Sequence, residues 1–170
     1  ETYIVTGDLD ALQLVDDWVS VITSKVGVTD TVTYNPAAVQ ERYGFGPALI
    51  PDYKAIVGDT SDNIPGIPGI GAKGASDLIS KFETVEAILE RFEEVDPKYQ
   101  KKILGNEEQF KKSKWLATIN RDAPIEYDFK PFEISQEQMA QATSGSSTVT
   151  RTGAFFLVLL QAPGETPLDN

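Results

Sequence analysis

The chain has 170 residues, 41% of them hydrophobic and 24% charged, which provides for an ordinary core and excludes global disorder. It contains no cysteine and no histidine, so disulfides, thiolate or imidazole metal sites and a histidine general base are all excluded. Any metal must be held by oxygen, and the net charge of −11 speaks against a generally basic surface for nucleic acid.

Residues 3–6 are apolar and β-branched and end at Gly7, which predicts a buried strand. Asp8 can cap a helix over 9–15. Residues 19–23 predict a second strand and 31–34 a short third one. From there the pattern turns helical. Asn35 is a good N-cap, Pro36 suits a first helical position, and Gly44 ends the segment. Helical spacing returns over 48–57 and stops at Gly58. After a Pro/Gly-rich turn, 73–82 predicts a helix with Ala75, Leu78, Ile79 and Phe82 on one face. Thr84 caps a segment over 85–92, and 97–104 ends at Gly105. Residues 106–119 form a long amphipathic segment with Phe110, Leu116 and Ile119 as its apolar side. Residues 143–150 are linker-like, 155–160 are a bare apolar run and 162–170 are loop-like.

The acidity is unevenly spread. Residues 1–35 carry one lysine against six acids, whereas 98–130 carry eight basic residues against five acidic ones. Lys98, Lys101, Lys102, Lys111, Lys112 and Lys114 form either a solvated helix face or an extension of a nucleic-acid footprint. No basic n-region opens the chain, and the longest late apolar run has seven residues, whereas a membrane span takes about 20. A cytoplasmic protein without a membrane partner is expected.

Three segments carry chemistry. Thr6-Gly7-Asp8-Leu9-Asp10 follows a strand, and loops at the carboxyl ends of strands build sites in open α/β sheets. Asp8 and Asp10 there are either a cap with a first-turn acid or two carboxylates aimed at one point. Gly58-Asp59-Thr60-Ser61-Asp62-Asn63 is either an Asx-type turn or a second pair of acids suited to a hard cation. In 64–75, IPGIPGIGAKGA, the glycines let backbone approach a ligand and leave N–H groups free at the start of the following helix, which suits a phosphate. Ile67 and Ile70 would anchor this hairpin, and Lys73 adds charge beside it. The same segment fits the G-x-G-x-x-G pattern of dinucleotide binding over 69–74. The two prolines before it are hostile to the strand that pattern needs, however, and Lys73 is not followed by the Ser or Thr of a Walker loop.

TGDLDALQLV, then YKAIVGDTSDNIPGIPGIGAKGASDLI, then KSKWLATINRDAPI, in that order over about 2–132, resemble the 5′→3′ exonuclease domain of bacterial DNA polymerase I and the related flap endonucleases. The resemblance implies an α/β fold: the C-terminal part of a PIN-like 5′-nuclease domain, followed by a mainly helical helix-hairpin-helix (helix–three-turn–helix) region. Residues 1–35 would end the α/β nuclease layer, 36–132 would be the helical DNA-binding region, and 133–170 a tail. It implies two-metal phosphodiester hydrolysis with Mg²⁺ or Mn²⁺ on duplex or 5′-flap DNA. Asp8 and Asp10 match the paired acids of one metal site, and Asp62 with Asp59 beside it the turn acids that complete it. No catalytic residue separate from these ligands is implied. The backbone of Gly66, Ile67, Gly69, Ile70 and Gly71 matches the hairpin that holds phosphate, with Lys73 as the basic position after it, and K⁺ at the hairpin's carbonyls. The family's N-terminal half, which supplies the other metal site, is the expected further partner. A non-catalytic helix-hairpin-helix module is the alternative.

Overall fold

The structure, a computed structural model, describes residues 1–26, 30–126 and 158–161. The chain divides into two compact units, Glu1–Ile119 with Phe155–Asn170, and Asn120–Ala154. Of the expected tail over 133–170, everything but Val158–Gln161 lies outside the described residues, as does 127–132.

In the first unit, β1 (Thr2–Val5) pairs in parallel with β2 (Val19–Val26), and β2 pairs antiparallel with β3 (Asp30–Tyr34). On the other side of β1 lies β4 (Val158–Gln161), antiparallel, which makes the sheet order β3-β2-β1-β4. The apolar run expected over 155–160 therefore contributes a strand.

The link from β1 to β2 is a 3-10 helix, Leu9–Leu14, where an α-helix over 9–15 is expected. It is six residues long and must return the chain to a parallel neighbour at once. Val15 is already extended, and its N–H reaches only to Leu12. The cap is as expected: Asp8 Oδ1 accepts the Asp10 N–H at 2.9 Å. Within this turn Gln13 is buried. Its Nε2 donates to the Ala117 carbonyl at 2.8 Å, and its Oε1 accepts the Ile119 N–H at 3.1 Å.

Helix α1 (Pro36–Tyr43) has Asn35 Oδ1 accepting the Ala38 N–H and Gly44 at φ 85° closing it. The segment expected over 48–57 divides into a 3-10 turn, Pro47–Leu49, and α2 (Ile50–Val57). Pro51 causes the division, since its ring and missing N–H are tolerated only in a first turn. Helices α3 (Ala72–Phe82), α4 (Val85–Glu90), α5 (Pro97–Ile103) and α6 (Glu107–Ala117) follow. No helix among the described residues is long and apolar enough to cross a membrane.

One core runs from the sheet into the helices, from Ile4, Val21 and Leu12 through Ile56, Ile67 and Ile79 to Phe82 and Phe110. Helix α6 differs from expectation. It buries Phe110, Ser113 and Ala117 and leaves Leu116 exposed. This is a regular i, i+3, i+7 stripe whose small members allow close packing on α2. Asp52, on α2, is buried among these helices. Its carboxylate accepts the Val85 N–H at 2.8 Å and pairs with Lys114 of α6 at 2.7 Å.

Candidate metal centre and phosphate-binding hairpin

Strand β1 ends at Val5, and the Thr6 N–H still reaches the Ile22 carbonyl at 3.0 Å. The chain leaves the sheet at its carboxyl edge, so Asp8 and Asp10 open into the space beyond the parallel pair β1–β2. The second acidic loop begins where Gly58, at φ 80°, ends α2. Asp59 and Ile64 then exchange both backbone hydrogen bonds, each at 2.8 Å. This closes a six-residue loop, within which the Ser61 N–H and hydroxyl both donate to Asp59 Oδ1.

The two loops converge. Carboxylate oxygens of Asp10, Asp59 and Asp62 lie within 4.8 Å of one another. Asp8 is not in that group among the described residues; its carboxylate caps the turn, and it lines the same cleft of about 390 Å³ with Gly7, Lys54, Asp59 and Asp62. Spacing did not single out Lys54. From α2 its Nζ pairs with Asp10 Oδ1 and with Asp59 Oδ2, the latter at 2.7 Å.

Charge balance in the cluster follows from burial and from Lys54. Burial pushes the Asp10 carboxyl above its ordinary range; Lys54 opposes this, while Asp8 and Asp62 add to the rise. The Lys54 ammonium and then the Ser61 bonds hold the Asp59 carboxyl far below the usual range. For Lys54 burial works downward, but its two carboxylate partners outweigh it and raise its pKa. Asp10 Oδ1 is sealed from solvent, and the Lys54 ammonium meets it there as an ion pair. Three converging carboxylates, one with a buried oxygen, form an all-oxygen group that fits a hard cation.

The hairpin follows directly. Ile67-Pro68-Gly69-Ile70 is a type II turn: the Ile70 N–H reaches the Ile67 carbonyl at 3.1 Å, proline precedes glycine, and Gly69 has φ 83°. The preceding Ile64-Pro65-Gly66-Ile67 repeats the sequence but not the bond, because the Ile67 N–H goes to Ile56 of α2 at 2.7 Å. Ile67 and Ile70 are buried as anchors. Gly69, Gly71, Ala72 and Lys73 are exposed, and their backbone N–H groups have no partner among the described residues. These donors surround the positive end of α3.

Helix α5 packs against this turn. Lys102 Nζ donates to the Gly69 carbonyl at 2.6 Å, and a Cβ on Gly74 would lie 2.9 Å from the Tyr99 hydroxyl. Lys102 carried a sequence signal only as one of six basic residues. Its contact with the hairpin crosses a separation of 33 residues.

Residues 45–140 match the family model described as "5'-3' exonuclease, C-terminal SAM fold". DNA polymerase I of Bacillus subtilis is 43% identical over 134 residues, covering 78% of this chain and 15% of that protein. DNA polymerase I of Chloroflexus aurantiacus is 39% identical over 137 residues, covering 79% and 14%. The chain thus spans about one-seventh of these relatives. The bacteriophage T5 5′-exonuclease with zinc bound superposes with a TM-score of 0.59 at 27% identity, covering 68% of this chain and 42% of that one. A bacteriophage T5 flap endonuclease in a pseudo-enzyme-product complex with DNA and metal ions superposes with a TM-score of 0.59 at 26% identity, over the same shares.

Proposed function

This chain belongs to the 5′–3′ exonuclease family, and on that premise we propose that it grips duplex or 5′-flap DNA by its hairpin backbone and presents beside that grip a carboxylate cluster for metal-dependent phosphodiester hydrolysis. The observation that carries this is the Asp59–Ile64 closure, which joins the acidic loop to the hairpin in one short piece of backbone. A duplex phosphate held at the hairpin is then kept at a set distance from the cluster.

The free amides of Gly69, Gly71, Ala72 and Lys73 supply donors to phosphate oxygens without base readout, so binding is independent of sequence. Lys73 and Lys102 add positive charge at the same turn, which offsets the acidic total locally. Asp10, Asp59 and Asp62 would hold a divalent cation, with Asp8 keeping the first acidic turn in place. The oxygen-only donors suit Mg²⁺ or Mn²⁺. When bound, such a cation supplies Lewis-acid charge at a phosphodiester. K⁺ at the hairpin's carbonyls would compete with the Lys102 ammonium for that of Gly69. Two-metal hydrolysis takes a second carboxylate set, which we assign to the N-terminal half of the family's domain.

The test is duplex binding by fluorescence anisotropy and 5′-flap cleavage with Mg²⁺. Gly69→Asp places a carboxylate on the exposed turn and strains its φ of 83°, and should weaken duplex binding about tenfold or more through like-charge repulsion and loss of the turn. Unchanged binding would sink the hairpin assignment. Cleavage is expected once the second carboxylate set is supplied; turnover by these residues alone, abolished by Asp10→Asn, would overturn that division. The hairpin donors are complete without the cluster, which supports a second reading as a non-catalytic DNA-binding module. That reading expects full duplex affinity in EDTA and no cleavage under either condition.

A further inference from the structure

Among the described residues Lys54 is the cation paired with the carboxylate cluster, and the hydrolytic function gives it no part. It projects from α2 with its side chain only 14% exposed. Its two partners lie in different segments, Asp10 in the 3-10 helix after β1 and Asp59 in the loop after α2. Both belong to the trio whose oxygens lie within 4.8 Å of one another. Carboxylates this close repel, and an ammonium between two of them supplies the missing counter-charge.

The same oxygens cannot serve two cations at once. A small divalent cation takes carboxylate oxygens at about 2.0–2.1 Å and repels an ammonium bonded to those oxygens. Lysine suits a retreat, since its charge sits on a flexible four-carbon stem and its ammonium is readily hydrated. The cleft that it lines is about 390 Å³, enough for the head group to turn outward.

We propose that Lys54 is a built-in counter-ion: its ammonium ties Asp10 to Asp59 while no metal is bound, and it leaves both carboxylates when a divalent cation enters. The proposal rests on the metal reading above and adds a competitor to it. Lys54 is a positioning residue here. It keeps two ligand loops together against their own repulsion, and metal affinity is reduced by the work of displacing it. By linkage, whatever Lys54 contributes to metal-free stability is lost from metal binding.

The experiment measures Mn²⁺ binding by counting free ion with EPR, and Tm in EDTA and in saturating Mn²⁺, for the wild-type chain, Lys54→Met and Lys54→Arg. Lys54→Met should bind Mn²⁺ on the order of tenfold tighter. It should melt below wild type in EDTA and close to wild type in Mn²⁺, whereas Lys54→Arg, with a less readily hydrated cation, should bind Mn²⁺ no tighter than wild type. A purely structural lysine predicts the reverse, weaker Mn²⁺ binding and the same Tm deficit in both conditions, and that result would overturn the proposal. If Lys54→Met does not fold in EDTA, the wild-type chain decides by NMR. The Lys54 ammonium signal, assigned by its loss in Lys54→Arg, should be protected in EDTA and exchange-broadened with Mg²⁺; a signal that stays protected overturns the proposal. Absence of Mn²⁺ binding by all three chains would instead overturn the metal reading itself, and the proposal with it.

Discussion

Gly58 and Gly66 touch backbone to backbone. A Cβ on Gly58 would stand 2.9 Å from the Gly66 nitrogen, and one on Gly66 would overlap the Gly58 nitrogen. This contact lies where the acidic loop meets the hairpin, so neither can move without the other. Gly66 also has φ 62°, a conformation costly to residues with a Cβ. Gly66→Ala should therefore destabilise by about 3 kcal/mol, combining backbone strain with overpacking. Urea unfolding measures this, and a loss under about 1 kcal/mol would show that the two segments are not rigidly joined.

The cations near the hairpin should differ in their salt signatures. Lys73 and Lys102 have no carboxylate partner among the described residues, and Lys102 is held at the turn by the Gly69 carbonyl. Lys98 is paired with Asp96 at 3.3 Å. Lys73→Met and Lys102→Met should each reduce the slope of log K against log salt for duplex binding by about one. Lys98→Met should leave that slope nearly unchanged. Equal effects of all three would mean that the hairpin does not select which lysines face the DNA.

Asp52 joins three helices, through Val85 of α4 and Lys114 of α6. Asp52→Ala leaves an N–H and a half-buried ammonium without that partner and should cost about 2–3 kcal/mol in urea unfolding. A cost below about 0.5 kcal/mol would show that water or Glu86 replaces it fully.

Glu86, the other partner of Lys114, gives a pH signature. Burial raises its carboxyl, but the Lys114 pair and the bonds at the start of α4 outweigh this and leave it below its ordinary 4.5. A depressed carboxyl contributes stability above 4.5 that is lost as pH falls through its folded value. Because Glu86 is largely exposed, the contribution should be under about 1 kcal/mol. Glu86→Gln should thus be slightly less stable than wild type at pH 7 and equal to it at pH 2, by parallel urea titrations. A deficit that persists at pH 2 would assign the effect to packing.

Gln13 clamps the end of α6 from a distance of more than 100 residues. Gln13→Leu keeps the volume but removes the partners of the Ala117 carbonyl and the Ile119 N–H. It should cost about 1–3 kcal/mol. Amide exchange at Ile119 should rise more than exchange in α3; uniform protection across both would contradict a local clamp.

Some of this molecule was legible without a fold. The Pro-Gly of the hairpin specifies its own turn, because proline presets one dihedral and glycine accepts the next at least cost. Asn35 with Pro36, and Gly44 and Gly58, mark helix ends by the same local chemistry. The absence of histidine and cysteine confined any metal to oxygen. What only the tertiary structure decided depends on contacts between residues remote in sequence. Asp10 meets Asp59 and Asp62 because the two segments meet beyond the sheet, and Asp8 caps the first turn while lining the same cleft. Lys54 reads as an ordinary helix lysine until α2 is set against the 3-10 helix after β1. Helix α6 buries Ser113 and Ala117 rather than Leu116 because Gln13 and α2 determine its rotation. A local pattern can rank apolar residues, but it cannot say which neighbour a helix will face.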